Sequence, residues 1–118
     1  MKKSFRLTRS KDIKRVRLLG RTHAHPLLVL LVAPNDLPVN RFGVIAGRSI
    51  GNAVKRNRAK RRLRAALEPL YRQTAPGFDL IFLARKPLLQ APYPELQTAV
   101  KQLLSRAGLV IVDERDPD

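Results

Sequence analysis

The sequence feature that most constrains the fold is a ten-residue basic block, Lys55 to Arg64, which reads KRNRAKRRLR. Seven of these ten residues are Lys or Arg and none is acidic, so the block repels itself unless an anionic partner such as a phosphate backbone neutralises it. Apolar residues recur through and beyond the block at the spacing of an amphipathic helix; they are Ala59, Leu63, Ala66 and Leu70. The block is therefore predicted to form a folded basic helix rather than a disordered basic tail.

The predicted basic helix has two different faces on a helical wheel. At about 100° per residue, the apolar positions fall within about 60° of one another. The opposite side carries Asn57, Arg61, Arg64 and Glu68. Two cations flank that outward side, and two more lie nearer the buried edge, where their stems can pack while their charged heads reach outward; these are Arg58 and Lys60, then Arg56 and Arg62. The outward face suits phosphate oxygens, because Arg presents a planar fork of donors.

The charge of the whole chain points in the same direction. The 118 residues carry a formal charge of +15 and a pI of about 11.6, which favours a nucleic-acid partner and, less often, an anionic membrane surface. There is no Cys, which excludes disulfides, thiolate catalysis and Cys-based zinc sites. The longest apolar run, Leu27 to Ala33, is too short to cross a bilayer, and no apolar signal core follows the basic start. We expect a soluble cytoplasmic protein.

The periodicity of the chain predicts the order helix, strand, strand, helix, strand, helix in one domain, residues 1–112, followed by an acidic tail at 113–118 that we expect to be disordered. The predicted helices run from Thr8 or Ser10 to Leu19, from about residue 53 to 71 or 72, and from 94 to 107. The predicted strands cover residues 22–34, 41–47 and 79–84, the first two as a hairpin. Residues 109–112 are predicted to form a short strand or a packed tail.

Three or four strands with helices packed on one face make an α+β fold or an open α/β sandwich. The basic helix connects strands 41–47 and 79–84, and a parallel arrangement of these two strands is one possibility. For parallel strands the general rule predicts a right-handed crossover.

His23 and His25 would share one face of a strand, but no Cys, Asp or Glu lies near them in sequence. A structural role for both His residues is therefore favoured over a metal site.

The stretch from Gly51 to Arg64, GNAVKRNRAKRRLR, resembles the signature of the bacterial ribonuclease P protein subunit. The resemblance continues in residues 7–20, 41–44 and 79–85, and it covers roughly residues 5–107. It implies an α/β sandwich whose crossover through the basic helix is left-handed, against the general rule. It also implies a subunit of a holoenzyme, the endoribonuclease that removes the 5′ leader of precursor tRNA, in which a large catalytic RNA performs the chemistry with Mg²⁺ held mainly by the RNA.

The resemblance implies two binding surfaces. The basic helix and the position before it face the catalytic RNA; the implied residues are Arg48, Lys55, Arg56, Asn57, Arg58, Lys60, Arg61, Arg62 and Arg64, with Asn57 also implied near bound metal. A cleft between the first helix and the sheet holds the single-stranded leader; its implied residues are Arg9, Ile13, Arg17 and Leu30. The family often presents aromatic residues in this cleft, and this chain has none at 13, 17 or 30. We therefore expect the cleft to rely on charge more than on base stacking.

The implied partners are one catalytic RNA per protein and precursor tRNA, with no membrane. The same helix also suits a non-catalytic RNA-binding protein of the ribosomal-protein type, and charge alone does not separate RNA from DNA. A DNA-binding repressor would need a tight helix-turn-helix pair, whereas a turn and an apolar strand follow the basic helix. A membrane-surface helix fits worse, because the polar face includes Asn57 and Glu68 and the apolar face is small and Ala-rich. The sequence offers no paired carboxylates in a polar pocket and no three-ligand metal cluster, and its acidic residues are scattered or lie in the tail, so no catalytic residue is predicted in this chain.

Overall fold

The structure, a computed structural model, describes residues 6–110. In chain order its α-helices and strands are α1 (Ser10–Leu19), β1 (Arg21–Ala24), β2 (Leu28–Pro34), β3 (Arg41–Ala46), α2 (Ala53–Leu67), β4 (Phe78–Ala84) and α3 (Tyr93–Arg106). Short 3₁₀ helices occupy Arg48–Ile50, Glu68–Gln73 and Lys86–Leu89. The predicted acidic tail at 113–118 and the last two residues of the predicted segment 109–112 lie outside the described residues.

The four strands form one open sheet in the order β1-β2-β4-β3. The predicted strand 22–34 is two antiparallel strands, because Pro26 lies in a turn that is closed by a hydrogen bond from the Leu27 backbone N–H to His25 Nδ1 at 3.0 Å. The predicted hairpin between this region and 41–47 is wrong, since β4 lies between β2 and β3 and pairs with both. The parallel arrangement of β3 and β4 is confirmed. The left-handed crossover through α2 stays a prediction.

Both faces of the sheet are covered, because β2 and β4 are apolar on both sides. The larger core lies under α2 and α3 and takes alternate strand residues such as Leu28, Leu30 and Phe82. The smaller core takes the intervening residues, including Leu31 and Ile81, and packs against α1. Helices were expected on one face only; α1 instead covers the opposite face from α2 and α3.

The predicted buried face of the basic helix is confirmed. Ala59, Leu63 and Ala66 are at most 1% exposed and pack in the larger core. The helix begins after Asn52, whose side chain accepts a hydrogen bond from the Lys55 backbone N–H at 3.0 Å, as an N-cap should. The α-helix ends at Leu67, short of the predicted residue 71 or 72, and continues as the 3₁₀ helix that contains Pro69.

The first and last helices match their predicted positions closely. In α1 the predicted cap by Thr8 or Ser10 does not form, since Arg9 occupies the N-cap position without a side-chain cap bond. Gly20 ends α1 where the chain turns tightly into β1: a Cβ atom there would lie 2.8 Å from the Val32 backbone oxygen. After α3, Leu109 is buried and its backbone oxygen accepts a hydrogen bond from the Ala75 N–H at 2.6 Å.

Candidate nucleic-acid interface

The outward side of α2 forms a shallow basic groove. Its lining consists of Val54, Asn57, Lys60, Arg61 and Arg64, with no acidic side chain among these described residues. Three of the four polar side chains are exposed, and Lys60 is half-buried. Val54, which fitted no apolar stripe in the sequence, is 73% exposed and lies in this groove rather than in the core. The groove therefore combines three cations with an amide and one apolar contact.

Most of the other predicted RNA-binding residues surround this groove. Arg48 is exposed in the 3₁₀ helix that precedes α2, and Lys55 and Arg58 are exposed on α2 itself. Arg56 is half-buried. The predicted helix face thus extends from the turn before α2 along about three helical turns.

Arg62 requires a correction. Its guanidinium points toward the protein, where it donates to the backbone oxygens of Leu88 and Ala91. These carbonyls belong to the 3₁₀ helix Lys86–Leu89 and to the segment that leads into α3. Because two of its donors are engaged there, Arg62 ties α2 to the following chain, and the outward orientation predicted for its charged head is wrong.

A second candidate surface, the α1 cleft, lies beside α1, where the side chains on that face of the sheet are only half-buried. Its floor is a row of half-buried apolar side chains across three strands, in which Val29 and Ile45 both pair with Leu83. Its wall is the flank of α1 that carries Ile13 and Arg17, one helical turn apart. Ile13 packs with Ile45 and Leu83 in the smaller core, whereas Arg17 and the N-cap residue Arg9 are exposed.

Leu30 does not belong to the α1 cleft, contrary to the prediction. It is fully buried in the larger core beneath α2 and α3, on the other face of the sheet. Successive side chains of a strand point to opposite faces, so a shift of one residue reverses the assignment. Its neighbours Val29 and Leu31 face α1 instead.

The α1 cleft offers no aromatic platform within residues 6–110. All aromatic residues of this part of the chain belong to the larger core or pack against it; they are Phe42, Tyr71, Phe78, Phe82 and Tyr93. Phe42 contacts Tyr71 and Phe82 with ring centroids 5.1 and 5.2 Å apart. The described cleft therefore presents aliphatic and cationic groups only.

An ion cluster on the other flank of α1 was missed by the sequence analysis. Asp79, at the start of β4, has no exposed side-chain area and accepts hydrogen bonds from Arg41 Nε and Nη2 at 2.8 and 2.7 Å. Arg15 Nη2 of α1 donates to the same carboxylate at 2.5 Å, and Asn35 Nδ2 donates at 3.0 Å. Arg41 also approaches Asp12 of α1 at 3.5 Å. The one available signal was an acidic residue opening an otherwise apolar strand.

The surroundings of Asp79 keep it ionised although it is buried. Burial by itself would raise the pKa of its carboxyl group, but the hydrogen bonds from Arg41 and Asn35, the positive charge of Arg41 and the hydrogen bond from Arg15 together hold the pKa below its usual value. Arg15 and Arg41 are thereby committed to the fold, unlike the cations of the basic groove.

Comparison with known proteins decides the family. Residues 1–108 match the family model described as Ribonuclease P. A ribonuclease P protein component of Roseiflexus castenholzii is 45% identical over 111 residues, which cover 93% of this chain and 91% of the relative. The chain belongs to the ribonuclease P protein family. The corresponding protein of Herpetosiphon aurantiacus is also 45% identical, over 92% of this chain and 89% of its own.

The fold agrees with that family. The solved structure of the RNase P protein of Staphylococcus aureus matches with a TM-score of 0.80 at 25% identity, over 92% of this chain and 99% of that one. The resemblance drawn from the basic motif and the mixed α+β sandwich are both confirmed. A ribonuclease P protein component implies an RNA partner, for which the basic groove is the candidate surface.

The described residues offer no metal-binding cluster of their own. Within residues 6–110, no group of three His, Cys, Asp or Glu side chains is placed to hold a metal ion. His25 accepts a backbone hydrogen bond at Nδ1, and burial, followed by the nearby charge of Arg106, lowers its pKa, so its contacts are structural. Over the same residues, no helix has the length and apolar character needed to cross a bilayer.

Proposed function

We propose that this chain is the ribonuclease P subunit that binds the catalytic RNA and assists removal of the 5′ leader from precursor tRNA in the cytoplasm. The observation that carries this function is the basic groove: three cations and an amide on the outward side of a helix whose other side is packed into the core. A flexible basic tail would neutralise RNA without holding it in one orientation. A fixed helix face orients the RNA relative to the rest of the protein.

In this proposal the basic groove binds the catalytic RNA. Arg61 and Arg64 supply charge-assisted hydrogen bonds to phosphate oxygens. Asn57, one helical turn before Arg61, can both donate and accept a hydrogen bond. Each phosphate neutralised in this way releases condensed counterions, so the affinity depends steeply on salt. One protein is proposed to bind one RNA.

The chemistry is proposed to take place in the RNA component. Mg²⁺ prefers several oxygen ligands and retains much of its water shell, and the amide of Asn57 supplies a single neutral oxygen to the basic groove. This donor set fits a hydrogen bond to metal-bound water and does not form a binding site. The Mg²⁺ ions are therefore proposed to be held mainly by the RNA, with Asn57 as an outer contact.

The α1 cleft is proposed to hold the single-stranded leader. Arg9 and Arg17 would attract its phosphates, while the aliphatic row of Val29, Leu83 and Ile45 would contact bases without ring stacking. Base stacking on aromatic side chains contributes about 1–3 kcal/mol per base where such platforms exist. Because residues 6–110 place no aromatic side chain in the cleft, leader binding should depend more strongly on salt.

The proposal is tested by reconstitution with a ribonuclease P RNA. The protein should stimulate leader removal at low magnesium concentration, where the RNA alone cleaves poorly. An Arg61→Ala/Arg64→Ala variant should lose most of the stimulation, whereas Lys101→Ala, which removes an exposed positive charge from α3, should retain it. Absence of stimulation by the unaltered protein would favour a non-catalytic RNA-binding protein of the ribosomal-protein type, which the family comparisons do not support.

A further inference from the structure

Apolar packing holds α1 on the sheet only weakly. Of its ten residues, Val16 is the one that is buried, and Ile13 is half-buried. So narrow a contact constrains the distance of the helix from the sheet better than its rotation about its own axis. The rotation needs a second, directional constraint.

The ion cluster supplies that constraint from a fixed point on the sheet. The Asp79 carboxylate is held on the inner strand β4 by Arg41 and Asn35, independently of α1. From this point it accepts the Arg15 hydrogen bond at 2.5 Å, and Arg15 also donates to the Pro34 backbone oxygen at 2.8 Å. Asp12, one turn earlier on α1, is tied to Arg41. Two contacts one turn apart thus define which side of α1 faces the sheet.

Rotation of α1 determines where Arg17 points. At about 100° per residue, Arg15 and Arg17 lie about 160° apart around the helix, so that one flank is anchored and the other borders the α1 cleft. With side chains a helix has a radius of about 5–6 Å, and a rotation of about 20° therefore moves a side-chain tip by about 2 Å. A displacement of that size exceeds the range of donor–acceptor distances in a hydrogen bond.

We propose that Asp79 is a positioning residue for leader binding, acting through Arg15 and Arg41 to set the rotation of α1 and hence the position of Arg17. This inference rests on the proposed function of the α1 cleft. It gives the ion cluster a role in substrate recognition that is separate from its contribution to stability.

The test uses the holoenzyme reconstituted with a ribonuclease P RNA and compares binding of precursor tRNA with binding of mature tRNA, which lacks the leader. Arg15→Met removes the donors but keeps an unbranched apolar stem, and it leaves Asp79 paired with Arg41 and Asn35. Its matched control is Lys14→Met, which removes the same charge from the preceding residue of α1, an exposed position. Arg15→Met should lower leader-dependent affinity about tenfold, because the displaced Arg17 loses a charge-assisted hydrogen bond to a leader phosphate. Lys14→Met should lower it less than twofold.

A double-mutant cycle separates positioning from direct contact or general destabilisation. If Arg15 acts through Arg17, Arg15→Met should add little to the loss caused by Arg17→Ala. Additive losses would overturn the proposal. Arg15→Lys, which retains one charged donor toward Asp79, should recover part of the affinity; no recovery would count against the proposal.

For a second variant, positioning and simple electrostatics predict changes in binding of opposite sign. Asp12→Asn removes a negative charge, so electrostatics alone predicts tighter RNA binding, whereas positioning predicts weaker leader-dependent binding, by about twofold for this longer contact. Tighter binding would overturn the inference. If Arg17→Ala and Arg15→Met both leave leader-dependent affinity unchanged while the unaltered protein still stimulates cleavage, the positioning role fails and the proposed ribonuclease P function stands. Lack of stimulation by the unaltered protein would instead overturn the function itself.

Discussion

Arg61 and Arg62 are adjacent in the chain, and the structure predicts opposite consequences for their substitution by Ala. Arg61 lines the basic groove, while Arg62 donates to two backbone oxygens inside the protein. Arg62→Ala removes both hydrogen bonds and leaves the carbonyls of Leu88 and Ala91 without this donor. Hydrogen bonds that involve a charged group contribute about 1.5–3 kcal/mol. Because the Arg62 side chain is only partly buried, we expect a loss smaller than the sum of two such bonds, about 2–3 kcal/mol.

For a domain of this size, such a loss lowers the Tm by about 8–15 °C. Arg61→Ala should leave the Tm within about 2 °C, since substitutions at exposed positions usually change stability by less than about 0.5 kcal/mol. Its effect should appear in RNA binding instead: weaker affinity and a salt dependence reduced by about one phosphate contact. Thermal unfolding followed by circular dichroism, and binding to ribonuclease P RNA across a salt series, measure the two effects. If Arg62→Ala has the same Tm as the unaltered protein and weakens RNA binding as much as Arg61→Ala does, the inward placement of Arg62 is wrong.

Three further predictions follow from the site and the ion cluster. Asp79→Asn should destabilise the fold by about 3 kcal/mol, the lower end for a broken buried ion pair, because Asp79 is buried but its partners Arg15 and Arg41 are partly exposed. The pKa of Asp79 is lower in the folded protein than in the unfolded chain, so its contribution to stability is present above the unfolded pKa of about 4 and is lost as the pH falls through the folded pKa. The stability of the variant, measured by urea unfolding, should therefore depend less on pH in the acid range. Arg17→Ala should weaken leader-dependent affinity at both low and moderate salt, and unchanged affinity would contradict the charge-based cleft. Gly20→Ala should lower the Tm, because its Cβ atom would lie 2.8 Å from the Val32 oxygen; an unchanged Tm would mean that the α1–β1 turn is more open.

The sequence was most informative where one periodicity dominated. In α2 the apolar positions recur over more than two turns, so Ala59 and Leu63 identified the buried face and Arg61 and Arg64 the outward one. The same wheel placed Arg62 close to the buried edge but could not show that backbone carbonyls lie within its reach. Those carbonyls come from residues 88 and 91, some 26 and 29 positions later in the chain, and no local pattern encodes such a contact.

The sequence was least informative in the sheet, where β2 is a continuous aliphatic run. Such a run has no alternation to indicate which residues face which side, so Leu30 was assigned to the wrong face. The pairing of β2 with β4 instead of β3 is likewise a non-local choice, made by two strands that each bury both faces. The ion cluster around Asp79 was not predicted for the same reason, because only the topology brings together its partners Arg15, Asn35 and Arg41.

The double-sided burial of β2 and β4 also explains how one small domain can present two separate helices, α1 and α2, that are proposed to bind RNA. A sheet with apolar residues on both faces must be covered on both. In this chain α1 covers one face, and α2 and α3 cover the other. The large core beneath α2 and α3 fixes the basic groove mainly by packing, to which the two hydrogen bonds of Arg62 add. The small core beneath α1 cannot do so, and a buried ion cluster takes its place. The two surfaces are thus oriented by different forces, which predicts that acid or a substitution at Asp79 will disturb the α1 cleft before the basic groove.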